Sequence, residues 1–198
     1  MIKTFLKKML GRGTFTSYSQ FGEDAVLNKI LPDKGFYVDV GAYHPHLYSN
    51  TYALYKKGWR GVAIDPNPKM KKLFAVFRPR DHFVNVAIGT DKEMTYFSFT
   101  DGAYNTLNPE NAREHEKKTK LISRTRIRCA PLHTFLIGIE KIDFLNIDAE
   151  GQDVEILETY DWKIHPKVIA VEGEAPILES KGYQMVGKAG LTNIWKLK

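Results

Sequence analysis

The stretch 35–68, GFYVDVGAYHPHLYSNTYALYKKGWRGVAIDPNP, leaves few folds open to this chain. Phe36, Tyr37, Val38, Asp39 and Val40 form a short β-rich run, and Gly41 behind them supplies a tight turn with no Cβ in the way. Ser49 and Asn50 are capping residues for a helix that carries Tyr52, Leu54 and Tyr55 and stops at Gly58. Gly61 to Ile64 makes a second strand, closed by the turn chemistry of Asp65, Pro66, Asn67 and Pro68. Strand, glycine turn, helix and strand in that order build the nucleotide-binding half of a doubly wound sheet, whose ligands sit off the carboxyl ends of the strands. An acid closing the second strand suits a two-point grip on ribose hydroxyls.

The remaining chain extends this rhythm and then departs from it. A helix through Ala25, Val26, Leu27, Ile30 and Leu31 ends before Pro32. Another spans 69–77, and a third strand 83–88 stops at Gly89. The section 90–130 breaks the alternation: a strand at 95–99, a turn at Asp101-Gly102, a polar helix over 109–120 and an alternating run at 125–130. It reads as an insertion on the substrate side. The βα pattern resumes at 143–147, continues through the turn Asp148-Ala149-Glu150-Gly151 and a helix carrying Val154, Ile156 and Leu157, and reaches a strand at 167–171. Two strands, 183–187 and 192–197, follow with a turn at Lys188-Ala189-Gly190 and no helix between them. The expected fold is α/β and Rossmann-like: a doubly wound, mostly parallel seven-stranded sheet ending in an antiparallel hairpin, the class I methyltransferase arrangement.

At 198 residues, 43% of them hydrophobic, the chain reads as one domain spanning 1–198. Cys129 is its one cysteine, so neither an internal disulfide nor a thiolate zinc site can form, and a reducing, cytoplasmic setting is expected. The net charge of +6 is dispersed among several small basic clusters. It suits an anionic substrate, a phosphorylated carrier or an acidic membrane face, but lacks the basic stripe of a nucleic-acid binder. The opening MIKTFLKKMLGRG places Ile2, Phe5, Leu6, Met9 and Leu10 at helical spacing, so 1–18 reads as a basic helical extension. It packs on the domain or makes weak peripheral contact with a membrane surface.

The nucleotide follows from what the turn lacks. Dinucleotide sites use three glycines to admit a pyrophosphate, and here Gly41 stands alone in Gly41-Ala42-Tyr43-His44-Pro45-His46. No phosphate-cradling loop occurs either. S-adenosylmethionine has no phosphate; it needs one tight turn, an acid for its ribose and polar groups for its amino-acid end. Asp39, Gly41 and Asp65 meet those needs.

The segments SQFGEDAVL, FYVDVGAYHPHLYSNT, GWRGVAIDPNP, NVAIG and IDFLNIDAEGQDVEIL, in this order and spacing, resemble the FkbM-type methyltransferases from Ser19 to the C-terminus. The resemblance implies an S-adenosylmethionine-dependent enzyme that methylates hydroxyls, often on sugars or polyketides. The G-A-x-H-P and S-N-T forms point toward surface glycans. The chain departs from the family pattern at His133, where an acid is common, and at Asn146, the usual lysine position. Carried over residue by residue, Asp39, Gly41 and Ala42 form the turn beneath the cofactor. Ser49, Asn50 and Thr51 hold its carboxylate, and Asp65 binds the ribose. Pro66, Asn67, Asn85 and Ala87 border the adenine, and Gln20 closes over the top.

Methyl transfer requires alignment and removal of a proton from a weakly acidic hydroxyl. Asp148 and Glu150 are the candidate bases, pointing to one side if the strand stays extended through them. His44 is a second candidate base in the cofactor turn. Asp148, Glu150 and Glu172 offer oxygen ligands to a divalent cation. Tyr104, Asn105, Thr106 and His46 are candidate contacts for the acceptor, expected to be a glycan, a nucleotide-sugar or a lipid-linked sugar. A polyketide, lipid or other small-molecule hydroxyl is the alternative, as is a binding module without catalysis. Oligomeric state is open.

Overall fold

A computed structural model describes residues 15–90 and 92–198. Its main sheet is built from β1 (Phe36–Val40), β2 (Arg60–Ile64), β3 (His82–Val84), β7 (Phe144–Ile147), β8 (Val168–Glu172), β9 (Tyr183–Ala189) and β10 (Thr192–Leu197). The spatial order is β3-β2-β1-β7-β8-β10-β9. Neighbours from β3 to β8 run parallel, β10 runs antiparallel to β8, and β9 antiparallel to β10. The chain therefore moves outward from β1 in one direction and returns at β7 to move outward in the other. The crevice between the carboxyl ends of β1 and β7 is the topological switch point.

Both faces of the sheet are covered, which is why its strands are apolar on successive residues. Val38, Val40, Leu145, Ile147, Ile169 and Val171 point to one face and pack with Ile156 and Leu157 of α5 (Asp153–Thr159). Tyr37, Phe144, Val168 and Ala170 point to the other. There they meet Leu27 of α1 (Glu23–Ile30), Leu54 of α2 (Tyr52–Lys56) and Trp59. Another helix, α3 (Met70–Phe77), buries Phe74 against Ala42 and Ala63.

Three local readings change. The single strand expected over 83–88 is divided: β3 ends at Val84 in the main sheet, and β4 (Ala87–Ile88) pairs with β6 (Leu121–Ala130) in a second, three-stranded sheet. The break falls where Asn85 turns its amide onto the Asp65 carbonyl at 2.8 Å. The polar helix is shorter, α4 (Pro109–His115), started by Asn108, whose side chain accepts from the Glu110 and Asn111 amides. The terminal hairpin turns at Gly190 and Leu191. The second sheet, ordered β4-β6-β5 with β5 at Glu93–Phe99, makes the 90–130 section a unit against the sheet ends. A short helix, α6 (Ile177–Ser180), precedes β9. Of the proposed extension 1–18, residues 15–18 are not helical and 1–14 lie outside the described residues.

Candidate active site

Gly41 is in the left-handed region at φ 77°, and a Cβ on it would stand 1.7 Å from the Asp148 carbonyl oxygen. Only a glycine lets the ends of β1 and β7 approach this closely. The turn is pinned by the Gly41 and Ala42 amides, both donating to the Ile64 carbonyl (3.0 and 3.1 Å), and by the Asp148 amide donating to Val40 (3.0 Å). Above it opens a cleft at the carboxyl ends of the strands. Gln20, Gly41, Tyr43, Asp65, Asp148 and Glu150 line it.

Asp65 is buried, and its two carboxylate oxygens accept from the Tyr43 amide (2.9 Å) and the Asn67 amide (2.8 Å). Burial pushes its carboxyl up to about 7, against the pull of those amides. Each oxygen keeps a second lone pair for a ligand hydroxyl. Pro66 and Ala87 line the same cleft, and with Asn67 and Asn85 they also line the adjoining groove beside β5 and β6. The four residues proposed for the adenine edge thus converge beside Asp65.

The acidic turn is organised differently from an extended strand. β7 ends at Ile147, and Glu150 and Gly151 take left-handed conformations at φ 48° and 92°. This turn, rather than strand alternation, brings carboxylate oxygens of Asp148, Glu150 and Glu172 within 4.8 Å of one another. Asp153 holds it from below, accepting from the Ala149 amide (3.1 Å) and the Gly151 amide (3.2 Å). The 90–130 section holds it from above: Thr106 Oγ1 donates to the Glu150 carbonyl at 2.8 Å, and Asn111 Nδ2 at 3.0 Å. His115 Nε2 lies 3.9 Å from Glu150 Oε2.

Burial and mutual repulsion raise all three acids. Asp148 is held well above the usual carboxylate range by burial, then by Glu172, with which it shares a hydrogen bond. Burial also raises Glu172, with Asp153 adding to it. Glu150 is pushed up to about 7 by burial and by Glu172. Among the described residues these three are the acids placed to hold a cation together.

Other sequence-marked residues have different partners. Asp39 is fully enclosed, accepting from Thr51 Oγ1 and from Asn146 Nδ2 (2.9 Å). Asn146 accepts in turn from Asn50 Nδ2 at 3.0 Å. Ser49 and Thr51 accept from the buried Arg78 guanidinium (3.3 and 3.0 Å), which also meets Asp81 at 2.6 Å and the Tyr37 hydroxyl at 2.7 Å. Asp39, Ser49, Asn50 and Thr51 therefore belong to a buried polar network under the turn and do not line the cleft. α2 begins with these side chains already engaged. Ala42 packs inward on Phe74.

The histidines also lie off the cleft. His44 Nδ1 accepts from the His46 and Leu47 amides (3.3 and 3.2 Å), and burial lowers its pKa. An imidazole whose Nδ1 organises its own loop is poorly placed to take a proton in the cleft. His46 packs its ring against His44, Tyr52 and Phe77, away from the acceptor position assigned to it. Tyr104 packs on His115, to which its carbonyl is hydrogen-bonded, and likewise stands off the cleft. Asn105 lines the cleft, but its amide bridges the Tyr96 hydroxyl and the Phe99 amide.

Residues 39–185 match the family model for the methyltransferase FkbM domain. The chain belongs to the FkbM methyltransferase family. No curated protein matches the chain. The FkbM match spans the Gly41 turn, Asp65, the 90–130 section and the acidic turn; Gln20 enters from outside it. Membership makes the fold a methyltransferase fold and implies S-adenosylmethionine as donor. The residues present fit that donor: a buried acid with free lone pairs closes β2, and the single-glycine turn has no phosphate cradle. Sequence reasoning misses Arg78, Asp81, Asn111, Asp153 and His115, whose partners are distant in the chain or lie in irregular turns. The helix expected from 109 does place Asn111 in a first turn, begun by the Asn108 cap and Pro109, but no local signal aims its amide at Glu150.

Proposed function

We propose that this FkbM-family chain is an S-adenosylmethionine-dependent O-methyltransferase acting on a sugar hydroxyl, in a surface polysaccharide or another glycan. The observation that carries the reading is one cleft at the switch point with Asp65 on one side and the Asp148–Glu150 turn on the other. The first suits a ribose and the second the removal of a hydroxyl proton. The donor, when bound, supplies an electrophilic methyl group. Asp65 would accept from its ribose hydroxyls, while Pro66, Asn67, Asn85 and Ala87 would border its base.

Glu150 is the base in this reading. A carboxyl at about 7 is partly ionised at neutral pH and near the optimum for proton transfer. Asp148, whose carboxyl is raised by burial and by Glu172, with which it shares a hydrogen bond, orients the hydroxyl instead. With the donor bound, Glu150 would accept the proton of the acceptor hydroxyl and Asp148 would orient that hydroxyl toward the methyl group. The acceptor is a glycan, a nucleotide-sugar or a lipid-linked sugar, the last met at a membrane surface. No helix among the described residues is long and apolar enough to cross a membrane.

Calorimetry with S-adenosylmethionine and NAD tests the donor; binding of NAD alone would sink the proposal. Transfer of labelled methyl to a pyranoside panel tests the acceptor, against catechol as a non-sugar control.

A second reading has one observation in its favour, the carboxylate oxygens of Asp148, Glu150 and Glu172 within 4.8 Å. Three hard oxygen donors suit a divalent cation, which would lower the pKa of the acceptor hydroxyl. Transfer unaffected by chelator dismisses this, leaving proton sharing to account for the cluster.

A further inference from the structure

Two tyrosines beside the cleft hold a backbone conformation that bulky side chains rarely adopt: Tyr43 at φ 46° and Tyr48 at φ 54°. Such strain persists only where the surroundings impose it, and it clusters at binding sites. For Tyr43 the reason lies within the fold. Its amide donates to Asp65, and its ring reaches across to Gly102, where a Cβ would meet Cε2 at 3.4 Å. Tyr43 therefore spans from the cofactor turn to the 90–130 section.

Tyr48 has no comparable internal use. Its ring stacks on Tyr43, centroids 6.4 Å apart and planes 15° from parallel. It lines the cleft yet remains 56% exposed, and its hydroxyl has no hydrogen bond among the described residues. The chain on either side is fixed, Leu47 donating to His44 Nδ1 and Ser49 to the Tyr18 carbonyl at 3.0 Å. The loop is thus held so that a flat aromatic face, stiffened from behind, stands at the cleft mouth. Gln20 adds an amide to the lining of the same cleft.

We propose that Tyr48 is the platform on which the acceptor's sugar ring stacks while one hydroxyl is presented to the Asp148–Glu150 turn. A pyranose has an apolar face of C–H bonds and a hydroxylated edge; an aromatic plane with an adjacent amide and an acidic turn beyond it matches both. This rests on the sugar-acceptor reading above.

The test uses Tyr48→Ala, Tyr48→Phe and Tyr48→Gly in the full chain. Methyl transfer is measured from S-adenosylmethionine to methyl glycosides of glucose, galactose, mannose, rhamnose and fucose, with catechol as control. Tyr48→Ala raises the acceptor KM about five- to tenfold. The Kd for S-adenosylmethionine stays within twofold, and Tyr48→Phe behaves as wild type. Tyr48→Gly, which relieves the backbone, is no less heat-stable than wild type but loses acceptor affinity as Tyr48→Ala does. A tyrosine kept only for packing would lose stability in both. An unchanged acceptor KM in Tyr48→Ala overturns the platform and leaves the sugar reading standing. Weakened donor binding in the same variant overturns it too, placing the ring over the donor. Wild-type transfer to catechol alone, or neither transfer to nor saturation-transfer NMR contact with any glycoside, removes the sugar reading and the platform together.

Discussion

Gly41 and Asp148 meet so closely that a single methyl group on the first would overlap the backbone carbonyl of the second, 1.7 Å from its oxygen. The two residues directly follow β1 and β7, and both line the cleft. Gly41→Ala adds that overlap to a left-handed backbone. The expected loss is about 4 kcal/mol or more of folding stability, read by urea denaturation, and calorimetry should show no binding of S-adenosylmethionine. A variant that unfolds with wild-type midpoint would mean the strand ends separate freely.

Glu150 and Asp148 should respond differently to neutralisation. Glu150→Gln removes the proposed base and lowers kcat by about 10²- to 10⁴-fold. Asp148→Asn keeps a side chain that can orient the hydroxyl and costs roughly tenfold, the scale of one hydrogen bond. In the wild type, kcat/KM rises with pH through about 7, where Glu150 loses its proton; Glu150→Gln should flatten that limb. Equal rates for both variants would remove the division of roles.

Stability should run the opposite way with pH. Burial raises the folded-state pKa of Asp65 and Glu150 to about 7, and also raises that of Asp148. Between the ordinary carboxylate range and 7 the native state binds more protons than the unfolded chain. The associated stability is fully present below the unfolded pKa and is lost as pH rises through about 7. The ligand-free protein should melt several degrees higher at about pH 5.5 than at about pH 8. A flat or rising profile would show that these acids are solvated in the folded state.

Arg78 is fully buried, with Asp81 at 2.6 Å and Asp39 nearby, so its removal leaves two carboxylates without a cation. Arg78→Met should cost about 3–5 kcal/mol, the penalty for breaking a buried pair, measured by urea midpoint. Replacing Asp81 as well, with Asn, should recover part of that loss. No recovery in the double variant would place the cost in packing alone.

Much of the cofactor half is legible because its signals are local. A β-run ending in Asp-Val-Gly, an acid before Pro-Asn-Pro and an Asp-Ala-Glu-Gly turn each mark the end of a strand, and in a parallel sheet those ends share one edge. What residue type cannot convey is burial. Ser49, Asn50 and Thr51 have the polar groups a ligand needs, yet Arg78 and Asn146 engage all three, and Arg78 sits in a charged RPRD run that reads as surface. Asn85 is the one polar residue in the run 83–88, but a single amide among apolar residues fits a continuous strand as well as a break. The grip on Glu150 is likewise hidden, since Asn111 reaches it across 39 residues of chain.

The strand order also sets a clock on the ribosome. Asp39 and Asn146, hydrogen-bonded across neighbouring strands, are 107 residues apart in the chain. Until β7 emerges, β1 has a bare edge with Val38 and Val40 beside it, and the second sheet intervenes between the two in synthesis. At typical elongation speeds that wait is roughly 5–20 s, long compared with helix or hairpin formation. The nascent cofactor turn is therefore an aggregation hazard during translation, and slower expression at low temperature would lengthen the exposure while weakening the hydrophobic contacts that drive it.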